Sequence, residues 1–600
     1  MSSHPATPAS PRSELSAALA ACRSALIAIG LFSAVSNVLM LTGSVFMLEV
    51  YDRVIPSRSV PTLIGLCVIA AFLFGMLAVI DVIRSRIMVR IGASLDEALS
   101  GRVYETLVKI PLRSGNRSDG LQPLRDLDNV RAFLSGSGPI AFFDLPWLPI
   151  YIAICFLFFH FWIGLAALFG AIILVGLTVF TEIWTRKPMQ DATQAALARN
   201  GLAEISIRNA EAISAMGMLG RISGRWAEAN RRYMSSHRKS SDVAGGLGAL
   251  SKSLRMMIQS GVLAVGAWLV INQQASAGII IAGSILSARA LAPVDLAIAN
   301  WKGFQAARQG WERLNRLLSL FPTQRDVMPL QAPRASLAVE NVAAAPPGVQ
   351  KIIVQDVSFV LRAGNGLGII GPSASGKSSL ARLIVGLWQP IRGHVRLDGA
   401  ALDQWMPDAL GKHIGYLPQN VELLAGTVAQ NISRFEREPN PEAIINAAKT
   451  AGVHDLIVKL PDGYETEVGE QGSALSAGQA QRIALARALY GDPFLVVLDE
   501  PNSNLDYEGD EALARAVMSV RKRGGIAVIV AHRPSALEAV DLILVMGGGR
   551  MQHPVGPKDQ VLAKVLQRPG APTAPPVPPA PPAPPPAVQP LQVIPGRGPA

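Results

Sequence analysis

The sequence predicts two domains of different class in one 600-residue chain: an all-α membrane domain with six spans, then an α/β domain built on a phosphate-binding loop. Three observations predict it. Half of the residues are hydrophobic and only 16% are charged, against about 25% charged in an average soluble domain, and the apolar excess is concentrated in the first half. From about Leu337 the pattern changes to short apolar strands alternating with helices, which argues for a mainly parallel sheet covered on both faces. That second half also carries "GPSASGKS", Gly371 to Ser378, between a strand and a helix.

Six apolar runs carry the membrane assignment. Uncharged or nearly uncharged stretches long enough to cross a hydrocarbon core of about 30 Å lie at 24–48, 61–80, 139–159 and 162–181, with weaker ones at 256–271 and 277–298. Spans one and two, three and four, and five and six are joined by tight links. Residues 81–138 and 182–255 form the long connections and hold many of the Arg and Lys residues. By the positive-inside rule these connections face the cytoplasm, and so do both termini. They read as helices: "IGASLDEALSGRVYETLVKI" and "ATQAALARNGLAEISIRNAEAISAM" keep apolar residues at three- and four-residue spacing without a Pro, so the span helices continue into the cytosol. The expected organisation is a cytosolic segment 1–23, a transmembrane domain 24–320, an ATPase domain 335–566 and a Pro-rich tail 567–600.

Charge excludes several classes. The formal net charge of +11 comes from scattered Lys and Arg that the positive-inside bias accounts for, so nucleic acid is not an expected partner; the lipid bilayer is. Cys22, Cys67 and Cys155 lie in or beside apolar stretches without metal-type spacing, which argues against a disulfide framework. The N-terminal apolar run is too long for a signal-peptide core and reads as a retained span. Asp144, Arg289 and Asp295 are costly against lipid and are expected at an interior surface; the alternative is that Asp144 and Arg289 cap cytoplasmic segments or pair with each other. The tail from Arg568, "RPGAPTAPPVPPAPPAPPPAVQP", cannot form a core and is expected to be an extended solvated appendage.

In the second half, Gly371, Pro372, Ser373, Ala374, Ser375, Gly376, Lys377 and Ser378 match G-x-x-x-x-G-K-[ST], and Ser379 continues the helix. Backbone N–H groups of such a loop cradle phosphates, Lys377 reaches the β and γ groups and Ser378 ligates Mg²⁺. "FLVVLDE" supplies a matching strand ending in Asp499 and Glu500. Asp499 suits the metal, while Glu500, one residue further on, is the candidate general base for the attacking water. A second anion-binding helix start follows "LSAGQ", Leu475, Ser476, Ala477, Gly478 and Gln479, because the first N–H groups of a helix lack intrahelical partners.

The ordered set "GPSASGKS", "LPQ", "LSAGQ", "VVLDE", "SNLD" and "VAHR" resembles the ATPase domain of the ATP-binding-cassette (ABC) family, and six spans ahead of it resemble a half-size exporter. The resemblance implies that Gln419 senses the γ-phosphate and joins Ser378 and Asp499 around the metal, that His532 holds that phosphate beside Glu500, and that Asp506 contacts an opposing subunit. It also implies that the signature residues 475–479 close in trans over ATP held by the other subunit. With one copy of each motif per chain, a homodimer with two shared sites is expected, with ATP and Mg²⁺ as ligands. "TEVGEQG", 466–472, resembles the exporter loop that meets the cytosolic helix tips. Ala477 replaces the commoner Gly of "LSGGQ", Asn504 stands where many exporters have Ala, and "NVAAAPPGVQK" lacks the aromatic residue that stacks on adenine.

"VAAAPPG", "LPQNVELLAGTVAQNISRF", "DEPNSNLD", "FDLPWLPIY", "RALAPVDLAIANWKGF" and "FMLEVYDRVIPSRSVPTL" resemble one subgroup, the type I secretion ATPases of Gram-negative inner membranes, in the branch that exports proteases, lipases and other RTX-type polypeptides. That likeness implies a membrane fusion protein and an outer-membrane channel as partners. The competing expectation is a lipid or multidrug half-transporter, which shares the ATPase motifs and the spans; an ABC ATPase of regulation or repair is opposed by the spans.

Overall fold

The structure is a computed structural model that describes residues 14–115, 121–322, 330–469, 472, 474–531 and 533–566. The tail from 567 and His532 lie outside the described residues, as do residues 470, 471 and 473. The chain divides into two compact units, Met1–Arg325 with Pro347–Val349 and Asp326–Pro346 with Gln350–Ala600.

The first unit is helical. A short helix α1 (Glu14–Ala21) precedes α2 (Arg23–Leu39), α3 (Val60–Ser114), α4 (Gln122–Leu134), α5 (Gly138–Asp144), α6 (Trp147–Ile154), α7 (Phe161–Arg208), α8 (Leu219–Ile271), α9 (Ala277–Ala299) and α10 (Trp301–Leu320). Among the described residues, five helical stretches are long and apolar enough to cross a membrane, and a sixth is a pair bent by 45°, Gly138–Asp144 with Trp147–Phe159. The bend falls at "LPW", where Pro146 supplies no N–H to continue the ladder. At 55, 48 and 53 residues, α3, α7 and α8 are each far longer than a bilayer requires, so the long connections are helical extensions of the spans. Asp52 explains why α9 begins where it does: its carboxylate accepts from Gly278 N at 2.9 Å and Ser276 Oγ at 2.5 Å, and a Cβ on Gly278 would lie 2.6 Å from Asp52 Oδ1.

The charged residues of the spans do not form the Asp144–Arg289 pair that was one alternative. Asp144 does not pair with Arg289; it takes two hydrogen bonds from Arg84 Nη2, at 2.8 and 2.9 Å, with Arg84 only 2% exposed. Asn37 Nδ2 donates to Asp144 Oδ1 at 2.8 Å, and Tyr151 Oη donates to Asn37 at 2.7 and 2.9 Å, so one polar network ties α2, α3, α5 and α6. The physical reason is local: a buried carboxylate needs an adjacent cation, and Arg84, one helical turn after Asp81, provides it. Asp295 pairs with Arg255 at 2.7 Å, whereas Arg289 is exposed. Below the spans α4 and α10 pack together, with Arg313 clamping the buried Asp126 through two bonds of 2.7 and 2.8 Å.

The second unit holds two sheets. β1 (Ser336–Ala344), β2 (Val354–Arg362), β4 (Arg392–Leu397) and β5 (Ala400–Ala401) form an antiparallel sheet in the order β2-β1-β4-β5. β3 (Gly366–Ile370), β6 (Ile414–Leu417), β7 (Leu495–Asp499), β8 (Ile526–Val530) and β9 (Leu542–Gly547) form the second, parallel in the order β9-β3-β8-β7-β6, with β10 (Arg550–Met551) and β11 (Gly556–Pro557) antiparallel on β9. The strands β7 and β8 are buried at every position, as a sheet covered on both faces requires. The antiparallel sheet is an addition to the mainly parallel sheet expected; β2 alternates buried and exposed residues along most of its length, the mark of a sheet with one wet face.

Candidate nucleotide site

The site is built at the carboxyl ends of β3, β7 and β6, where a parallel sheet opens onto loops. After β3 the chain turns through Gly371 (φ +151°), Ala374 (φ +62°) and Gly376 (φ +95°) into α11 (Lys377–Ile384). A Cβ on Gly371 would lie 2.1 Å from Met546 O, so the turn admits only glycine there. Pro372, Ser373 and Ala374 are exposed, whereas Ser375 and Gly376 are buried beneath them. The first intrahelical bond of α11 runs from Leu380 N to Gly376 O at 2.9 Å. The N–H groups of Lys377, Ser378 and Ser379 therefore have no intrahelical acceptor, and Gly376 has no side chain to cap them. Lys377 Nζ donates to Gly371 O at 3.0 Å and Pro372 O at 2.9 Å, which sets its charge across the ring of the loop.

Ser378 Oγ donates to Asp499 Oδ1 at 3.0 Å, joining the loop helix to the end of β7. Asp499 is 1% exposed and its Oδ2 has no hydrogen-bond partner among the described residues; neither does the buried Ser375 Oγ. Burial raises the carboxyl of Asp499 above the ordinary aspartate value against the opposing Ser378 bond, and burial lowers the ammonium of Lys377 against the opposing charges of Glu500 and Asp499. Burial thus disfavours both charged forms, and a phosphate beside Lys377 and a divalent cation beside Asp499 would favour them. The donor set, a hydroxyl beside a carboxylate with an orphaned buried oxygen, is that of a hard cation with oxygen ligands, and Mg²⁺ fits it.

Glu500 leaves the strand in the left-handed region (φ +51°), its N–H donating to Val530 O at 3.0 Å and its carbonyl accepting from Ser503 N at 3.3 Å. For a non-glycine residue this backbone is uncommon, and it turns the Glu500 side chain out of the Asp499 register. Leu417 pairs with Leu498 in the parallel ladder, so Gln419, exposed, leaves the sheet beside Asp499 and Glu500.

The signature segment is built otherwise. Leu475 packs on the core, Ser476 and Ala477 are exposed, and α12 (Ala477–Leu489) follows. Ser476 Oγ accepts from Gln479 N at 3.3 Å, Gln479 Oε1 accepts from Ser476 N at 2.9 Å, and Ser476 O accepts from Ala480 N at 2.9 Å: a reciprocal capping box. Only the N–H groups of Ala477 and Gly478 remain without intrahelical partners. A Cβ on Gly478 would lie 3.0 Å from Asn504 O, so glycine admits the close approach of the 501–506 segment. Asp506 caps α13 (Tyr507–Lys522) by accepting from Gly509 N at 2.9 Å and pairs with Arg482 of α12.

Sequence reading passed over Gln481 and Arg382. Gln481, 2% exposed, donates to Pro501 O and to Ser503 Oγ and accepts from Asn504 N at 3.0 Å, fastening α12 to the segment after Glu500. Its signal was a glutamine two residues beyond the motif on a helix face that must be buried. Arg382 lies near enough to Asp499 and Tyr416 for its charge to act on both, and its guanidinium lies over the Trp388 ring, 5.4 Å from the ring centre.

Residues 354–503 match the ABC transporter family and residues 26–294 match the ABC transporter transmembrane region. The chain is 59% identical over 551 residues to the type I secretion system ATP-binding protein PrsD of Rhizobium meliloti (strain 1021), covering 92% of this chain and 94% of that relative. It is 29% identical over 515 residues to the alpha-hemolysin translocation ATP-binding protein HlyB of Escherichia coli, covering 84% and 72%. Its fold is similar to that of a bacterial Atm1-family ABC exporter solved with ATP bound, with a TM-score of 0.78 at 22% identity over 91% of this chain and 97% of that one.

Proposed function

The chain belongs to the ABC transporters of type I secretion, a membrane-embedded ATPase and permease that exports polypeptides, and from that premise we propose that it works as a homodimer in which each ATP is held by the phosphate loop of one protomer and the signature helix of the other. One observation carries the proposal: each chain contains two unlike helix starts with N–H groups that lack intrahelical acceptors, and the contacts of the second run to residues 501–506 of its own chain while its Ala477 and Gly478 N–H groups stay available. Two incomplete half-sites per chain close only when two chains pair.

Within each shared site Lys377 and the N–H groups of Gly376, Lys377, Ser378 and Ser379 bind and orient the phosphates, with 371–375 forming the wall of the cradle. Ser378, Asp499 and Gln419 would hold Mg²⁺, which when bound neutralises phosphate charge and orients the terminal group. Glu500 takes the proton of the attacking water at a carboxylate oxygen, and His532 steadies the terminal phosphate. Ser476 and Gly478 of the opposite protomer complete the cradle, and Asp506 steadies the junction between protomers. The ATPase units and both termini face the cytoplasm of a bacterial inner membrane, and the cargo is an RTX-type protease, lipase or similar chain passed to a membrane fusion protein and an outer-membrane channel. The cargo class rests on the likeness to PrsD and HlyB.

Two experiments test this. Glu500→Gln should lower hydrolysis by about 10²–10⁴-fold and leave ATP retained on the purified transporter; unchanged turnover removes Glu500 from the base role. A mixed dimer of one Ser476→Ala protomer and one Lys377→Ala protomer keeps one whole site if sites are shared, so it should hydrolyse ATP when either homodimer does not. A mixed dimer as inactive as both homodimers sinks the shared site.

A further inference from the structure

The far end of the signature helix is held by Arg434, the last residue but one of the stretch "LPQNVELLAGTVAQNISRF" and a residue with no part in the nucleotide motifs. Arg434 follows the short helix Val428–Ile432 and adopts a left-handed backbone, φ +58°, as does Phe435 after it, also at +58°. Two successive non-glycine residues in that region cost conformational energy, and the result is that the Arg434 guanidinium enters a cluster of carbonyl oxygens. Its Nε donates to Arg487 O at 3.0 Å and its Nη2 to Ala488 O at 3.2 Å, both among the last carbonyls of α12. Its Nη1 donates to Gly411 O at 2.7 Å and to Ile414 O at 3.2 Å, the latter the first residue of β6, the strand that runs on to Gln419.

Other contacts converge there. A Cβ on Gly415 of β6 would lie 2.0 Å from Ala488 O, so strand and helix end are in backbone contact. Arg487 Nη2 donates to Glu422 O at 3.2 Å, three residues past Gln419. Tyr490 Oη, just beyond the helix, donates to Glu436 at 2.8 Å. A cation at a helix C-terminus is favoured by the macrodipole, and a planar fork of donors fixes direction as a lysine ammonium does not.

We propose that Arg434 is a positioning residue for ATP hydrolysis, which fixes the rear of α12 against β6 so that Ser476 and Gly478 at its front meet the partner's nucleotide at the correct place. The proposal rests on the shared-site reading above. Because α12 is a rigid rod of 13 residues, a small tilt at Ala488 displaces Ser476 by a comparable amount, and misplacements of that order cost about ten- to a hundredfold in rate. The Arg434 side chain makes no contact with the phosphate loop of its own chain among the described bonds, so nucleotide affinity for that cradle is untouched.

The test uses the full transporter in detergent. Arg434→Lys should lower kcat for ATP hydrolysis about tenfold with KM for ATP within a factor of about two, and Gly415→Ala, which pushes the same helix end from the strand side, should do the same. Unchanged kcat in both variants, or a raised KM at full kcat, overturns the proposal. Retention of ATP in a Glu500→Gln background gives the second readout, in mixed dimers where one protomer carries Lys377→Ala and leaves a single working cradle on the other. Arg434→Lys placed on the Lys377→Ala protomer should lower retention, because its α12 faces the surviving cradle; placed on the protomer that owns the cradle it should leave one ATP per dimer. The reverse pattern, or equal loss from both placements, overturns the proposal. A reference mixed dimer without the Arg434 change that retains no ATP counts against the shared site itself, and the inference falls with it.

Discussion

The two helix starts of the ATPase unit that are proposed to face phosphate are built in opposite ways. The start of α11 is led in by Gly376 in a left-handed conformation, with no side-chain cap and three N–H groups lacking intrahelical acceptors. The start of α12 is led in by Ser476 in an extended conformation and closes a capping box with Gln479, which leaves two. Each construction matches the way its ligand would arrive. A helix end whose donors stay open, roofed by a Gly-rich loop and beside Lys377, is organised around an anion that its own chain binds. A helix end that satisfies a donor with its own serine is stable while exposed, and suits a group that meets its ligand only when another surface arrives.

The largest expected effect breaks the first half of this comparison. Lys377→Ala removes the charge that spans the loop and should weaken ATP binding by about a hundredfold, measured by equilibrium titration with a labelled nucleotide; the fold should survive, since among the described residues Lys377 donates to two loop carbonyls.

Next comes the double role of Ser476. Ser476→Ala loses the cap, worth about 1 kcal/mol, whereas Ser476→Gly loses only a few tenths. If the hydroxyl also touches the partner's phosphate, both variants lose hydrolysis alike while only the alanine variant loses thermal stability. Full hydrolysis in the glycine variant would reduce Ser476 to a cap.

A smaller effect concerns the cation side of the α11 cradle. Because burial holds the Asp499 carboxyl above its unfolded value, the folded protein binds that proton more tightly, and stability from this group falls as pH rises from about 4, the unfolded aspartate value, through the raised folded value. Asp499→Asn should therefore raise the thermal midpoint of the nucleotide-free protein at neutral pH, with the gain disappearing toward acid, and should abolish stabilisation by Mg²⁺ with ATP. A lower midpoint at every pH would show that the carboxylate is compensated.

The smallest effect is at Ala477, exposed at the first position of α12. Ala477→Gly restores the commoner family residue, and hydrolysis should stay within about twofold because the N–H at that position is the same in both, with a stability cost below about 1 kcal/mol.

Much of the catalytic unit was legible because its chemistry is local. The strand, the loop glycines, Lys377 and Ser378 are neighbours in sequence, and a turn that needs φ +151° at Gly371 and +95° at Gly376 declares itself through the residues that can adopt it. The membrane spans were legible for the same reason, since a run of apolar residues is its own signal; only the break at Leu145–Pro146 made the third a bent pair rather than one helix. The roles of Asp144 and Asp506 were less so. Asp144 carries a cost that any reading detects, but its partner Arg84 lies 60 residues away on another helix. Asp506 sits in a recognisable motif, yet its cap on Gly509 and its pairing with Arg482 depend on how α12 and α13 meet.

The division into a membrane half and a nucleotide half, the Gly-rich loop and the family are written in residues a few positions apart, whose backbone and solvation preferences act before any long-range contact forms. Which distant groups share a cluster is settled by the folded packing instead: Arg84 with Asp144 and Asn37, Gln481 with the segment after Glu500, and Arg434 with the rear of the signature helix. Those pairings arise from packing, which brings together residues 20 to 107 positions apart by burying surface that has no periodic trace in the chain.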